Sequence, residues 1–171
     1  MANVGRFGGG GAPMKAHQIA ICSLLEVEEI STSFGATHLL SLLEPGRKIF
    51  RPEAMPKANH LTLCFQDTWD PKLLAAPTAE HIERIDNWVD AQSEDARLLV
   101  HCFAGVSRSP GAALGILAKS MPPEKAAEAL FKLRPQAVPN PLVVRIWDDR
   151  LRLEGKLLGS LQKILQYDCD N

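Results

Sequence analysis

The sequence predicts an α/β domain in which a short central sheet is flanked by helices. Three observations predict it. Apolar runs of strand length recur up to position 102, and helical periodicity governs the segments that follow them. The most apolar short run, LLVHC at 98–102, leads through a glycine-containing turn into an almost wholly apolar helix.

At 171 residues the chain fits one compact domain, read as 14–171. A flexible tail is expected over 1–13, where MANVGRFGGGGAP holds five glycines and little to bury. HQIAICSLL (17–25) reads as a first strand and ATHLLSLL (36–43) as a second, after which Glu44-Pro45-Gly46 breaks the chain. Arg47 to His60 carries prolines and mixed charge and reads as a loop or weak helix. LTLCF (61–65) is a third strand, with Leu61, Leu63 and Phe65 on one face.

Thr78 is placed to cap a helix whose Ile82, Ile85 and Val89, with Trp88 beside them, form an apolar stripe. The polar Ser93-Glu94-Asp95 ends it. LLVHC is short and apolar throughout, as a buried central strand requires. SPGAALGILAKS (109–120) is the apolar helix, with Pro110 in its first turn. Met121-Pro122-Pro123 separates it from EKAAEALFKL (124–133), which Arg134-Pro135 terminates. Asn140 before Pro141 opens a final helix that keeps Leu142, Ile146, Trp147, Leu151, Leu157 and Leu161 at helical spacing. Gly155 and Gly159 each weaken that helix by roughly 1 kcal/mol relative to alanine, so a kink or frayed end is expected there.

Bulk properties exclude several functions. With 46% hydrophobic and 23% charged residues the composition is that of a soluble globular protein with a sizeable core. A net charge of -1 supplies no field for nucleic acid or an anionic membrane, so neither is expected as a partner and any affinity for phosphate must be local. No apolar run is long enough to cross a bilayer, and no secretory signal opens the chain. Cysteines at 22, 64, 102 and 169 lack disulfide or zinc spacing, and the five histidines are scattered. The expectation is free thiols, a cytoplasmic protein, and no metal or cofactor.

The segment V-H-C-F-A-G-V-S-R-S-P (100–110) carries the chemistry. A buried strand ends at Cys102, a tight loop turns, and a helix starts near Ser109. The backbone amides of Phe103, Ala104, Gly105, Val106, Ser107 and Arg108 can then line a concave cradle for a tetrahedral oxyanion, with the positive end of the helix behind it. Gly105 permits a turn that a side chain would hinder. Arg108 adds a permanently charged planar fork suited to two phosphate oxygens. The same field favours the thiolate of Cys102, which makes it a nucleophile on the floor of an anion site. Ser109 can hydrogen-bond the sulfur and stabilise it as a leaving group. His101 is expected to orient the loop. A Cys and an Arg six positions apart mean little alone; the combination with strand, glycine, Ser-Arg-Ser and helix start is far more demanding.

HCFAGVSRS resembles the signature of the protein tyrosine phosphatases, especially the compact dual-specificity group and its bacterial relatives, whose loop reads His-Cys-x5-Arg-Ser/Thr. The resemblance runs from about Thr37 to about Trp147 and includes F-Q-D at 65–67 and R-P-Q-A-V-P-N at 134–140. It implies a three-layer α/β/α fold, a phosphocysteine intermediate, no cofactor, and a phosphorylated protein or peptide as substrate. Low-molecular-weight tyrosine phosphatases and arsenate reductases carry Cys-x5-Arg near the N-terminus and fit poorly.

Expelling the leaving oxygen requires a proton donor, and activating water requires a base. Asp67 and Asp70, in Q-D-T-W-D after the third strand, are the candidates. Asp67 follows the strand directly and falls where the related enzymes place their acid; Asp70 precedes Pro71 and reads as a turn residue. Trp69 between them is either a pocket wall or a packing residue. Cys22 and Cys64 read as core, with Cys64 a conceivable disulfide trap for oxidised Cys102. Asp148, Asp149 and Arg150 read as a solvated helix face, and Trp147 as packing on the body. Three functions follow: a phosphotyrosine phosphatase, with phosphoserine or phosphothreonine as further substrates; the same chemistry on a lipid, nucleotide or RNA end; and a binding module without turnover. The loop between Cys102 and Arg108 holds no lysine, which disfavours polyanionic substrates. No segment reads as a phosphotyrosine-clamping loop, which points to a shallow site.

Overall fold

The computed structural model describes residues 17–169, with side chains to 165. The tail expected over 1–13 and the Cys169 side chain lie outside the described residues. Strands β1 (Gln18–Cys22), β2 (His38–Leu43), β3 (His60–Cys64) and β4 (Arg97–His101) form one sheet in the order β1-β4-β2-β3, every neighbouring pair parallel. β4 is interior: Val100 pairs with Ile21 on one side and Leu40 on the other. Its Leu98, Leu99 and Val100 are fully buried. A strand covered on both faces has no solvent side, which is why the run lacks polar alternation.

The helices are α1 (Val27–Phe34), α2 (Ala79–Asp90), α3 (Arg108–Ala118), α4 (Pro123–Leu133), α5 (Pro141–Leu151) and α6 (Lys156–Cys169). Successive strand residues point to opposite faces. Ile19, Ile21, Leu98 and Val100 pack with residues of α2 to α6, whereas Ala20, Cys22, Leu39 and Leu99 pack with Val27 and Phe34 of α1. The result is the three-layer α/β/α arrangement expected from the sequence.

Two stretches differ from the sequence reading. The first strand stops at Cys22 instead of Leu25, because Ser23-x-x-Glu26 is a helix-start signal: the Ser23 N–H donates to Glu26 Oε2 at 2.7 Å, and a 3-10 turn (Leu24–Glu26) runs into α1. Gly35, at φ +65°, ends α1. The expected final helix is two, and the break reaches Gly155, where a kink is expected. Arg152, Glu154 and Gly155 adopt positive φ, and the chain restarts as α6. Asp148 is therefore not solvated; it is buried and caps α6, accepting from the Gly155 N–H at 2.6 Å and the Leu157 N–H at 2.7 Å. Arg150 is likewise engaged, donating from Nε to Asp86 Oδ2 at 2.8 Å and from Nη1 to Glu83.

α3 is the central helix, buried from Arg108 to Leu117. Trp147, fully buried, lies flat against Gly115, where an added Cβ would stand 2.1 Å from the indole carbons Cγ and Cδ2. Gly115→Ala must therefore push α5 off α3. A loss of about 3 kcal/mol is expected from urea midpoints. Gly159→Ala, with nothing within 4 Å of the new methyl, should instead gain roughly 0.5–1 kcal/mol.

Candidate active site

In a parallel sheet the loops leaving the strand C-termini gather at one edge, and ligands bind there. Cys102 stands at that edge, one residue past β4, 1% exposed. Its Sγ accepts from the Gly105 N–H and from the Ser109 hydroxyl, both at 3.2 Å. Gly105 has φ +70°, and a Cβ there would lie 2.6 Å from the Cys22 carbonyl, so the loop packs directly on the end of β1.

The outer side of the loop is held at its carbonyls. Phe103 O accepts from the Leu24 N–H (3.0 Å), Gly105 O from Arg134 Nε (3.2 Å), Val106 O from the Val138 N–H (2.8 Å) and Ser107 O from the Asn140 N–H (3.1 Å). In a trans peptide the N–H points opposite to the C=O. Anchoring these carbonyls outward thus turns the amides of Ala104, Val106, Ser107 and Arg108 toward the concave side, where Sγ lies. Arg134 is itself held by Glu26 Oε2, at 3.1 Å. The sequence marks Arg134 as the end of α4 and as part of the R-P-Q-A-V-P-N resemblance, not as a support of the loop.

Arg108 is 2% exposed. Its Nη1 donates to Phe65 O at 3.1 Å and its Nη2 to Glu44 Oε1 at 2.6 Å. Nε has no hydrogen-bond partner among the described residues and lies 3.8 Å from Asp67 Oδ2. A buried cationic N–H without a hydrogen-bond acceptor is rare. Glu44 was read only as a chain breaker. Burial pushes its carboxyl up, but hydrogen bonds from its own backbone, Arg47 and Arg108 outweigh this and hold it below the ordinary carboxylate range. The signal missed was an acid placed directly after a buried strand.

Asp67 and Asp70 part company. Asp67 Oδ1 accepts from the Ser107 hydroxyl at 2.7 Å and from Asn140 Nδ2 at 2.8 Å. Asp70 is exposed and its Oδ1 accepts from the Lys72 N–H, a turn contact. Asn140 was foreseen as a helix start, and its Oδ1 does accept from the Leu142 and Val143 N–H groups. Its second task, donating to Asp67 and to Thr68 O, was not legible, because those partners are over 70 positions away. Trp69 is 68% exposed on the same loop and is not a core residue.

Two thiol expectations change. Cys64 is exposed on β3, with β2 between it and β4. Two strand spacings are about 10 Å, beyond disulfide reach from Cys102. Cys22 is buried as expected; burial, then the nearby Glu26 carboxylate, pushes its thiol up to about 12.

His101 is fully buried, and burial, with His60 and Arg108 adding to it, lowers its pKa from 6.5 to about 4. The neutral ring donates from Nδ1 to Cys102 O (3.2 Å), so Nε2 accepts from the Ser41 hydroxyl (2.6 Å), whose oxygen accepts from His60 Nε2 (2.7 Å). Unfolding frees His101 to bind a proton at higher pH, so between about 6.5 and 4 the unfolded chain holds more protons and stability falls as pH drops. Burial holds His38, His60 and His81 low in the same sense. The urea midpoint should be flat between about pH 7 and 8 and decline toward pH 4, with roughly 3 kcal/mol from His101 alone. His101→Gln should lower the midpoint at pH 7 but make that decline shallower.

The parallel four-stranded sheet with α3 leaving the loop after its interior strand is a fold shared with solved structures described as tyrosine and dual-specificity phosphatases. Several solved structures similar to the chain are described as phosphatases or as phosphatase-like. The Cydia pomonella PTP-2 phosphatase superposes with a TM-score of 0.61 at 20% identity, over 77% of this chain and 84% of that one. DUSP15 does so at 0.61 and 20%, over 93% and 97%. A human tyrosine phosphatase-like serine/threonine/tyrosine-interacting protein gives 0.58 and 17%, over 78% and 87%. At these identities the likeness establishes the fold. No family model matches the chain. No curated protein sequence matches it either.

Proposed function

We propose that the chain is a phosphomonoesterase that hydrolyses phosphotyrosine, and secondarily phosphoserine or phosphothreonine, in proteins or peptides through a phosphocysteine. The observation that supports it best is the pairing of a doubly hydrogen-bonded Cys102 sulfur with buried Arg108, whose Nε–H has no hydrogen-bond acceptor among the described residues. The thiolate attacks phosphorus, the P–O bond to the leaving group breaks, and Asp67 gives that oxygen its proton. Asp67, now a carboxylate, takes a proton from water as the water displaces the sulfur, and Ser109 donates to the departing thiolate. Every group in this cycle belongs to the chain. Among the described residues no cluster of His, Cys, Asp and Glu is arranged to hold a metal.

A binding module on the same fold is the other reading, since one structural neighbour is described as an interacting protein. The retained Cys102, Arg108 and Ser109, with a carboxylate beside the loop, favour turnover. A cytoplasmic, reducing setting belongs to the proposal because the nucleophile must stay a thiol. Among the described residues no helix is long and apolar enough to cross a membrane. The test is a panel of phosphotyrosine and phosphoserine peptides, nucleotides and phospholipids, with EDTA present throughout. Phosphate release is expected to be fastest from phosphotyrosine peptides. Stoichiometric binding without release would favour the module, and activity that chelation removes and added metal restores would count against the mechanism.

A further inference from the structure

The exposed apolar side chains are not scattered. Among the described residues nine large ones are exposed, and all but Leu165 lie on segments that follow a strand C-terminus or on the α4–α5 loop. Leu25 follows β1, Ile49 and Phe50 follow β2, Trp69 follows β3, Phe103 follows β4, and Val138 lies on the α4–α5 loop that bonds Val106 O. Single exposed apolar residues need no explanation, but a cluster around one site marks a surface built to be covered.

On one flank this apolar rim closes into an open cavity of about 460 Å³ lined by Leu24, Leu25, Glu28, Arg47, Lys48, Ile49 and Phe50. It adjoins the cradle through three contacts. The Leu24 N–H donates to Phe103 O, the Arg47 guanidinium lies 4.4 Å over the Phe103 ring, and Glu44 bridges Arg47 Nε (2.8 Å) to Arg108 Nη2 (2.6 Å). A group bound here is therefore a near neighbour of a phosphate held by Arg108. Its charge decides what that group is. Arg47 and Lys48 of the lining are matched in number by Glu28 and by Glu44, which pairs with both Arg47 and Arg108, so the cavity has no net positive charge to hold a second phosphate.

We infer that this cavity is a specificity subsite that takes an apolar side chain next to the phosphorylated residue of a peptide substrate. The inference rests on the phosphatase reading above and specifies its substrate. An apolar side chain entering the cavity covers Leu25, Ile49 and Phe50 and loses little hydration of its own.

The test is a series of phosphotyrosine peptides that differ only in carrying Leu, Ala or Asp at one position within two residues of the phosphotyrosine. Wild-type and the Leu25→Asp and Ile49→Asp variants are assayed alongside p-nitrophenyl phosphate and phosphoinositide vesicles. At one position kcat/KM should favour Leu over Ala by about tenfold, the scale of a single apolar contact. That ratio, taken within each protein and so insensitive to the fraction folded, should fall to about one in both variants. A wild-type ratio near one at every position overturns the subsite, and so does a preference that survives both substitutions. Faster turnover of the vesicles than of the best peptide overturns it in favour of a lipid. Hydrolysis of p-nitrophenyl phosphate without any flanking preference removes the subsite alone. Absence of p-nitrophenyl phosphate hydrolysis removes the phosphatase reading and the subsite with it.

Discussion

Cys102→Ser is expected to lower p-nitrophenyl phosphate turnover by about 10⁴-fold or more, the scale on which loss of a covalent nucleophile acts. A hydroxyl in the same place would still face the Gly105 amide and the Ser109 side chain, but it does not ionise near neutral pH, so the attacking anion is gone. The cradle and Arg108 are untouched, and the variant should still bind vanadate or phosphate. Arg108→Lys should also be severely impaired, since a single ammonium nitrogen cannot reproduce the planar fork whose separate nitrogens reach Phe65 O and Glu44 and leave Nε–H for a phosphate oxygen. Steady-state rates with equilibrium vanadate binding check both. Full turnover by the serine variant would end the phosphocysteine mechanism.

Asp67→Asn is expected to slow phosphotyrosine peptides by about 10²–10⁴-fold and aryl esters of acidic phenols far less. Proton donation matters when the departing oxygen is strongly basic and is nearly irrelevant when it leaves readily as an anion. Asp70→Asn should cost little and show no leaving-group dependence, because its carboxylate closes an exposed turn. Asn140→Ser retains an oxygen for the α5 cap but removes the Nδ2 donor that holds Asp67. It should reproduce part of the leaving-group dependence that a purely structural lesion would not. Rates for a series of substituted phenyl phosphates decide this. If Asp70→Asn shows the steeper dependence, the acid role moves there and the nucleophile stands.

By itself the sequence determined whatever is encoded by neighbours along the chain. The interior strand 98–102 was legible because burial on both faces leaves a run without polar alternation, and the cradle because Cys102, Gly105, Arg108 and the helix start lie within one continuous turn. The caps at Thr78 and Asn140 were legible because a cap bonds to amides only two or three residues on. Where two local signals competed, the reading failed: Ser23-x-x-Glu26 was absorbed into an apolar run, and the helical spacing of Leu151 and Leu157 continued across a break that Asp148 caps from the preceding helix. Only the tertiary structure decided which side chains converge from separate strands. It set Glu44 on Arg108, Asn140 on Asp67 and Arg134 on Gly105, each across a sequence separation of 29 to 73 residues. Partners at such distances leave no spacing in the chain, since they meet only because parallel strands deliver every following loop to one edge of the sheet.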